Sequence, residues 1–173
     1  MGVKRKARAP RHGGDARRSA RCVVITVSDT RGARTDASGA TIARALGRGG
    51  HQVQRAWVRD EVPAIRRAVR AALKQTTTDV ILLTGGTGLA PRDRTPEAVE
   101  PLLERALPGF GEQFRALSAR QVGSAAWLSR AGAGVVKGRL VVWLPGSPRA
   151  AGLGVSRLVI PELKHVLGLL QRV

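Results

Sequence analysis

Short runs of consecutive apolar residues alternate along this chain with segments whose apolar positions recur every three or four residues. The first run, in RCVVITVSD, is too short for a helix and reads as a buried strand ending near Ser28. A polar loop, TRGARTDA, leads into SGATIARALGRGG, where Ser38 is the expected N-cap of a helix with Ile42, Ala45 and Leu46 on one face. Gly49 and Gly50 stop it. HQVQRAWVRD predicts a weaker strand. VPAIRRAVRAALKQ then sets Ile65, Ala68, Val69, Ala72 and Leu73 on one helical face. DVILLT predicts another buried strand. After a glycine-rich loop, Thr95 and Pro96 read as the N-cap and first position of a helix presenting Val99, Leu102, Leu103 and Ala106.

Beyond Pro108 the rhythm changes. Phe110, Phe114 and Leu117 predict a short helix, and GSAAWLSRAGAG a further helical or irregular piece. GVVKGRLVVWLPG reads as two strands joined by a tight turn at Lys137 and Gly138. From Ser147 to Val173 the pattern is helical, in two pieces interrupted by Pro161. Three βα units followed by a hairpin imply an α/β three-layer sandwich: a mostly parallel sheet with one antiparallel strand and helices on both faces. In such sheets ligands bind beyond the carboxyl ends of the strands. The loops VSDT, TGGTGLAPRDRT and LPGSPR are therefore expected to converge.

Composition narrows the function classes. A chain of 173 residues with 43% hydrophobic content supports one well-filled core and not two ordinary domains. The net charge of +18 invites a nucleic-acid reading, but residues 1–21 alone carry +7. Residues 1–20 are thus expected to be a disordered basic tail, and residues 21–173 a single domain. The remaining charge is almost all arginine spread along helix faces. Aromatics make up 3% and tyrosine is absent, so base-stacking platforms are lacking and no specific nucleic-acid partner is expected. The basic surface suits small anionic substrates instead. Cys22 has no partner for a disulfide, and His12, His51 and His165 lie far apart without zinc spacing. No apolar run reaches the length of a membrane span or a signal peptide, and a cytoplasmic protein with no membrane partner is expected. Trp57, Trp127 and Trp143 read as core or subunit-interface packing.

The loop GGTG is weak evidence by itself, since glycine pairs also close ordinary turns. No Gly-Lys-Ser/Thr follows it, and Gly86, Gly88 and Ala90 do not complete a dinucleotide fingerprint. A different phosphate cradle stays open: bare backbone N–H groups backed by the helix start at Thr95. Ser147 has no G-x-S-x-G setting and no histidine nearby in sequence, so it reads as a binding residue and not a nucleophile.

In order along residues 21–170, ITVSDTR, DASGATIARAL, GGHQVQRAWVRDE, ILLTGGTGLAPRDRTPEAV, PGFGEQFRALS, LSRAGAG and LPGSPRA resemble the MoaB/MogA family. Its members are molybdenum cofactor biosynthesis protein B and molybdopterin adenylyltransferase. TGGTG, RDRTPEA, GFGE and LPGSP at these spacings are specific in combination, and LPGSPRA is closer to the protein B branch. The resemblance implies adenylylation of molybdopterin with Mg-ATP, giving adenylyl-molybdopterin and pyrophosphate. Mg2+ would be the cofactor, ATP and molybdopterin the substrates. It also implies a homotrimer or homohexamer, with other molybdenum cofactor enzymes as further partners.

The family's catalytic carboxylates match Asp60 in WVRDE and Asp93 in PRDRTPE, which are also the magnesium candidates. The strand-end loops supply the other candidates. Gly85, Gly86, Thr87 and Gly88 are expected to take phosphate, and Pro145, Gly146, Ser147 and Pro148 to form a second wall on the molybdopterin side. Ser28, Asp29, Asp36, Ser38 and Gly39 are candidates for nucleotide binding. Two other readings stand beside adenylyltransfer: a non-catalytic molybdopterin-binding or assembly protein of the same pathway, and a related domain acting on another nucleotide.

Overall fold

Six strands, β1 (Arg21–Val27), β2 (Gln52–Val58), β3 (Val80–Thr84), β4 (Arg105–Ala106), β5 (Gly132–Val136) and β6 (Arg139–Leu144), form one sheet in the order β2-β1-β3-β6-β5-β4. These positions come from a computed structural model that describes residues 19–170. Strands β2, β1, β3 and β6 run parallel, and β5 runs antiparallel to both of its neighbours. The central strand β3, all apolar except for its last residue, is buried at every position, as befits a strand covered on both faces. β2 is an edge strand, and its glutamines and arginine leave it half exposed.

The helices are α1 (Ala37–Arg48), α2 (Val62–Lys74), α3 (Thr95–Val99), α4 (Pro108–Val122), α5 (Pro148–Gly154) and α6 (Ile160–Leu170). One face of the sheet, with Val24, Leu82 and Val142, packs against Ile42 and Leu46 of α1, Phe114 of α4 and the C-terminal helices. The other face, with Ile25, Ile81 and Leu83, packs against Ile65 and Val69 of α2 and Val99 of α3. Both Ile65 and Val69 are fully buried, and each contributes about 1.5–3 kcal/mol of transfer free energy. The two buried clusters make this the expected three-layer α/β sandwich. Among the described residues no helix is long and apolar enough to cross a membrane.

Several elements depart from expectation for identifiable reasons. The helix expected from Thr95 to Ala106 stops at Val99, with a 3₁₀ turn over Glu100–Leu102. Pro101 has no N–H for the Glu97 carbonyl, and its ring disfavours continuing the turn. The chain then extends, and Glu104 N–H and Leu107 N–H donate to the carbonyls of Val135 and Ala133, adding β4 to the sheet. Within that helix Arg94 is the N-cap and Thr95 the first residue. The short helix expected around Phe110 runs the full length from Pro108 to Val122.

Pro161 does not interrupt the C-terminal helix. A π-helical stretch over Val155–Val159, in which Ile160 N–H donates to the Val155 carbonyl, joins α5 to α6 just ahead of it. That wider turn absorbs the ring and the missing donor. Of the tryptophans, Trp143 is buried, whereas Trp57 and Trp127 are exposed and are not core residues.

The basic tail expected over residues 1–20 lies outside the described residues as far as residue 18. Ser19 and Ala20 are placed: Ser19 Oγ donates to the Gly50 carbonyl at 2.8 Å, and Ala20 N–H to His51 Nδ1 at 3.1 Å. Ala20 is buried in the core.

Candidate functional site

Strand order positions the site. From β1 the chain goes through α1 to β2 on one side, then through α2 back across β1 to β3 on the other. Where connections diverge in this way a crevice opens beyond the strand ends. Here a cleft of about 380 Å³ lies at the ends of β1, β3 and β6. Ser28, Asp29, Ser38, Asp60, Gly85, Gly86, Asp93 and Gly146 line it, drawn from all three predicted loops, from the start of α1 and from the turn after β2.

The loop after β3 is tied down closely. Thr95 Oγ1 donates to the Gly85 carbonyl at 2.7 Å, and Thr95 N–H to the Gly86 carbonyl at 2.9 Å. Thr84 Oγ1 reaches across to the Pro145 carbonyl at 2.9 Å, joining this loop to the one after β6. The N–H groups of Gly86, Thr87 and Gly88 donate to no acceptor among the described residues. Gly86 has φ +62°, and a Cβ there would meet both carboxylate oxygens of Asp60 and Thr95 Oγ1. A Cβ on Gly88 would lie 2.7 Å from Asp93 Oδ2. The bare backbone thus has an internal reason, since it lets two carboxylates stand against the loop. The helix start behind it is a single turn, α3, so its dipole adds little to anion binding.

Asp60 Oδ1 accepts from Arg94 N–H at 2.9 Å, while Asp60 N–H donates to Asp29 Oδ1 at 3.3 Å. It therefore bridges the loops after β1 and β3. Asp29 also pairs with Arg92 at 2.6 Å. Asp93 closes its own turn: Ala90 N–H donates to Asp93 Oδ2 at 3.0 Å, and Asp93 N–H to the Ala90 carbonyl at 2.9 Å. Burial raises the pKa of Asp60 above the ordinary carboxylate range, and the charges of Asp93 and Asp29 add to the effect. The Arg94 N–H and the Arg92 charge oppose it. Asp29, Asp60 and Asp93 thus face one cleft, with Asp29 paired to Arg92 and the other two carboxylates left to meet a ligand or a proton.

An acid whose folded pKa is raised loses stability as pH climbs through that pKa. Asp60→Asn is therefore expected to stabilise the fold at neutral pH, by only about 0.5 kcal/mol because solvent screens the site. The gain should vanish below the unfolded carboxylate pKa. Urea titrations at pH 7 and pH 3.5 check it, and equal differences at both would remove the electrostatic explanation.

Other predicted residues stand behind or beside the cleft. Asp36, and not Ser38, caps α1, accepting from Gly39 N–H at 2.8 Å. Its carboxylate is buried and also accepts from Thr26, Ser38, Arg55 and Trp57, so it braces the wall from beneath. Gly39 is packed against that carboxylate. Ser147 caps α5, accepting from Ala150 N–H at 3.1 Å, with Pro148 as the first helical residue. Pro145 and Ser147 line a smaller neighbouring pocket of about 130 Å³. Thr87 is buried beneath the loop, its carbonyl accepting from Arg130 N–H at 3.0 Å.

Sequence reasoning assigned no role to Arg31, Arg92 or Thr26, which also line the cleft. The Arg-Asp-Arg triplet at 92–94 was the signal for Arg92. Nothing local marks Arg31.

Residues 23–165 match the family described as "Probable molybdopterin binding domain". The chain belongs to the MoaB/MogA family of molybdenum cofactor biosynthesis proteins. It is 49% identical over 149 residues to molybdenum cofactor biosynthesis protein B of Bacillus subtilis, covering 85% of this chain and 88% of that one. A crystal structure of a molybdenum cofactor biosynthesis protein B superimposes with a TM-score of 0.87 at 41% identity, covering 90% of this chain and 98% of the other. The tungsten cofactor synthesizing protein MoaB of Pyrococcus furiosus gives 0.82 at 36% identity, covering 91% and 100%. The MoaB/MogA sheet, with β5 as its one antiparallel strand, is the sheet described above.

Proposed function

We propose that this MoaB-family protein adenylylates molybdopterin with Mg-ATP. The observation that carries the proposal is the meeting of Asp60 and Asp93 over the bare Gly86–Gly88 backbone, in a cleft that Arg31 and Arg92 also line. In the reaction, a phosphate oxygen of molybdopterin would attack the α-phosphorus of ATP. The bond between that phosphorus and the bridging oxygen would break, releasing pyrophosphate and leaving adenylyl-molybdopterin.

The uncommitted N–H group of Gly86, which lines the cleft, suits a phosphate oxygen. Arg92, fixed by Asp29, and Arg31 would balance charge gathering on the leaving pyrophosphate. Among the described residues no three acids, histidines or cysteines gather to hold an ion by themselves. Two carboxylates with the remaining shell drawn from phosphate and water is a usual arrangement for magnesium. Asp60 and Asp93 would hold it there, and when bound it neutralises adjacent phosphate oxygens. Asp60 Oδ1 accepts from Arg94 N–H and Asp93 Oδ2 from Ala90 N–H, which orients both carboxylates toward the bound phosphates.

The test is pyrophosphate release with purified protein, Mg2+, ATP and molybdopterin, each omitted in turn. Release that requires all three supports adenylyltransfer. Release without molybdopterin would point to another nucleotide reaction, and molybdopterin binding without release to an assembly role.

A further inference from the structure

The loop from Gly88 to Asp93 is exposed, with Leu89 64% accessible, and within itself holds only the turn between Ala90 and Asp93. A loop so lightly held would not by itself keep a carboxylate in one place. The constraint comes from a residue far along the chain, Arg130, which lies just before β5. Its Nε donates to the Gly88 carbonyl at 2.9 Å and its NH2 to the Asp93 carbonyl at 2.8 Å. Its third nitrogen, NH1, pairs with the Glu97 carboxylate on α3. The backbone joins in, since Arg130 N–H donates to the Thr87 carbonyl at 3.0 Å. Arg130 is itself anchored: its carbonyl accepts from Trp143 Nε1 at 2.8 Å, and Trp143 is buried in β6.

We propose that Arg130 is a positioning residue for this site, its planar fork spanning both ends of the Gly88–Asp93 loop and so setting where the Asp93 carboxylate stands. No other side chain among the described residues donates to both ends of the loop. The geometry needs a guanidinium. A lysine carries the charge but cannot direct donors to two carbonyls and a carboxylate from one plane. Arg130 makes no contact with the cleft and acts through main-chain carbonyls. Its kinetic consequence rests on the adenylyltransfer reading, whereas the clamp does not.

Full-length Arg130→Met and Arg130→Lys proteins test this against the parent by two measurements. Amide hydrogen exchange in peptides covering residues 86–95 is expected to quicken about tenfold in both variants, with β3 and β6 unchanged. Unchanged exchange in that loop overturns the clamp whether or not the parent turns over. For pyrophosphate release, kcat should fall on the order of tenfold to a hundredfold, with KM for ATP altered less than about threefold. Millimolar guanidinium should restore part of the loss to Arg130→Met. Exchange that quickens while kcat stays at the parental value overturns the positioning role. Should the methionine protein fail to fold, the lysine protein carries both measurements. If the parent itself shows no turnover, adenylyltransfer is what fails, and exchange together with Mg-ATP affinity decides the clamp.

Discussion

Asp93→Asn is expected to lower Mg-ATP-dependent pyrophosphate release by on the order of 10² to 10³, about 3 to 4 kcal/mol in the barrier, in a protein that folds normally. The carboxylate has two oxygens, and one of them, Oδ2, already accepts from Ala90 N–H. Asparagine can keep that bond with its carbonyl oxygen, so the turn and the loop backbone survive. What is lost is the negative charge and a ligand oxygen at the cleft. Molybdopterin affinity should change little, because the Gly86 N–H that suits its phosphate remains in place. If Asp93 only closes its turn, the same substitution shifts stability by about 0.5 kcal/mol and leaves turnover alone. Rate and affinity measured on one folded sample separate these outcomes, and an unchanged rate would remove Asp93 from the chemistry.

The parts of this site that sequence revealed are those whose causes are local. β1, β3 and β6 are short apolar runs because both faces of the sheet are covered, and a run of that kind shows in the sequence. The hairpin turn showed as Lys137 and Gly138, both with positive φ. Once strand and helix alternated, the carboxyl ends of the strands had to hold the cleft, and Asp29, Asp60 and Asp93 are there.

The parts that sequence concealed depend on residues that meet only in space. Asp36 and Ser38 are equally good N-caps by local preference. Asp36 takes the role here, bound by Arg55 and Trp57, nineteen and twenty-one residues further on. Arg130 looked like one more surface arginine, and its partners at Gly88 and Asp93 are 42 and 37 residues away. The spacing of Leu102 and Leu103 agrees with a longer helix than α3. Those side chains do pack on the core, but from a 3₁₀ turn and an extended link that Pro101 and pairing with β5 impose. The glycines were legible as bare backbone, while the packing of Asp60 against Gly86 and of Asp93 against Gly88 was not.

Asp36→Asn should be the costliest exchange of near-identical shape in the structure, lowering stability by about 3 kcal/mol at pH 7. The side chain of Asp36 is wholly buried and receives only donors. Thr26 Oγ1, Arg55 NH2 and Trp57 Nε1 point at Oδ2, at 2.7, 2.6 and 3.1 Å, while Ser38 Oγ and Gly39 N–H point at Oδ1, at 3.2 and 2.8 Å. In whichever orientation asparagine is placed, its NH2 group faces donors, and Arg55 loses its counter-charge. Burial by itself would raise the pKa of Asp36. The hydrogen bonds from Thr26, Arg55, Gly39 and Trp57 outweigh it and hold the group below the ordinary carboxylate range. A depressed folded pKa gives stability that is complete above the unfolded value and fades as pH falls through the folded one. The gap between parent and variant should therefore be widest at neutral pH and narrow below about pH 4. In a thermal melt the pH 7 gap corresponds to roughly 6–12 °C. Melts at pH 7 and pH 3 read both the size and the trend. A loss under about 0.5 kcal/mol at pH 7 would mean that the cluster is solvated in the folded protein and does not brace the wall that Thr26 and Ser38 give to the cleft.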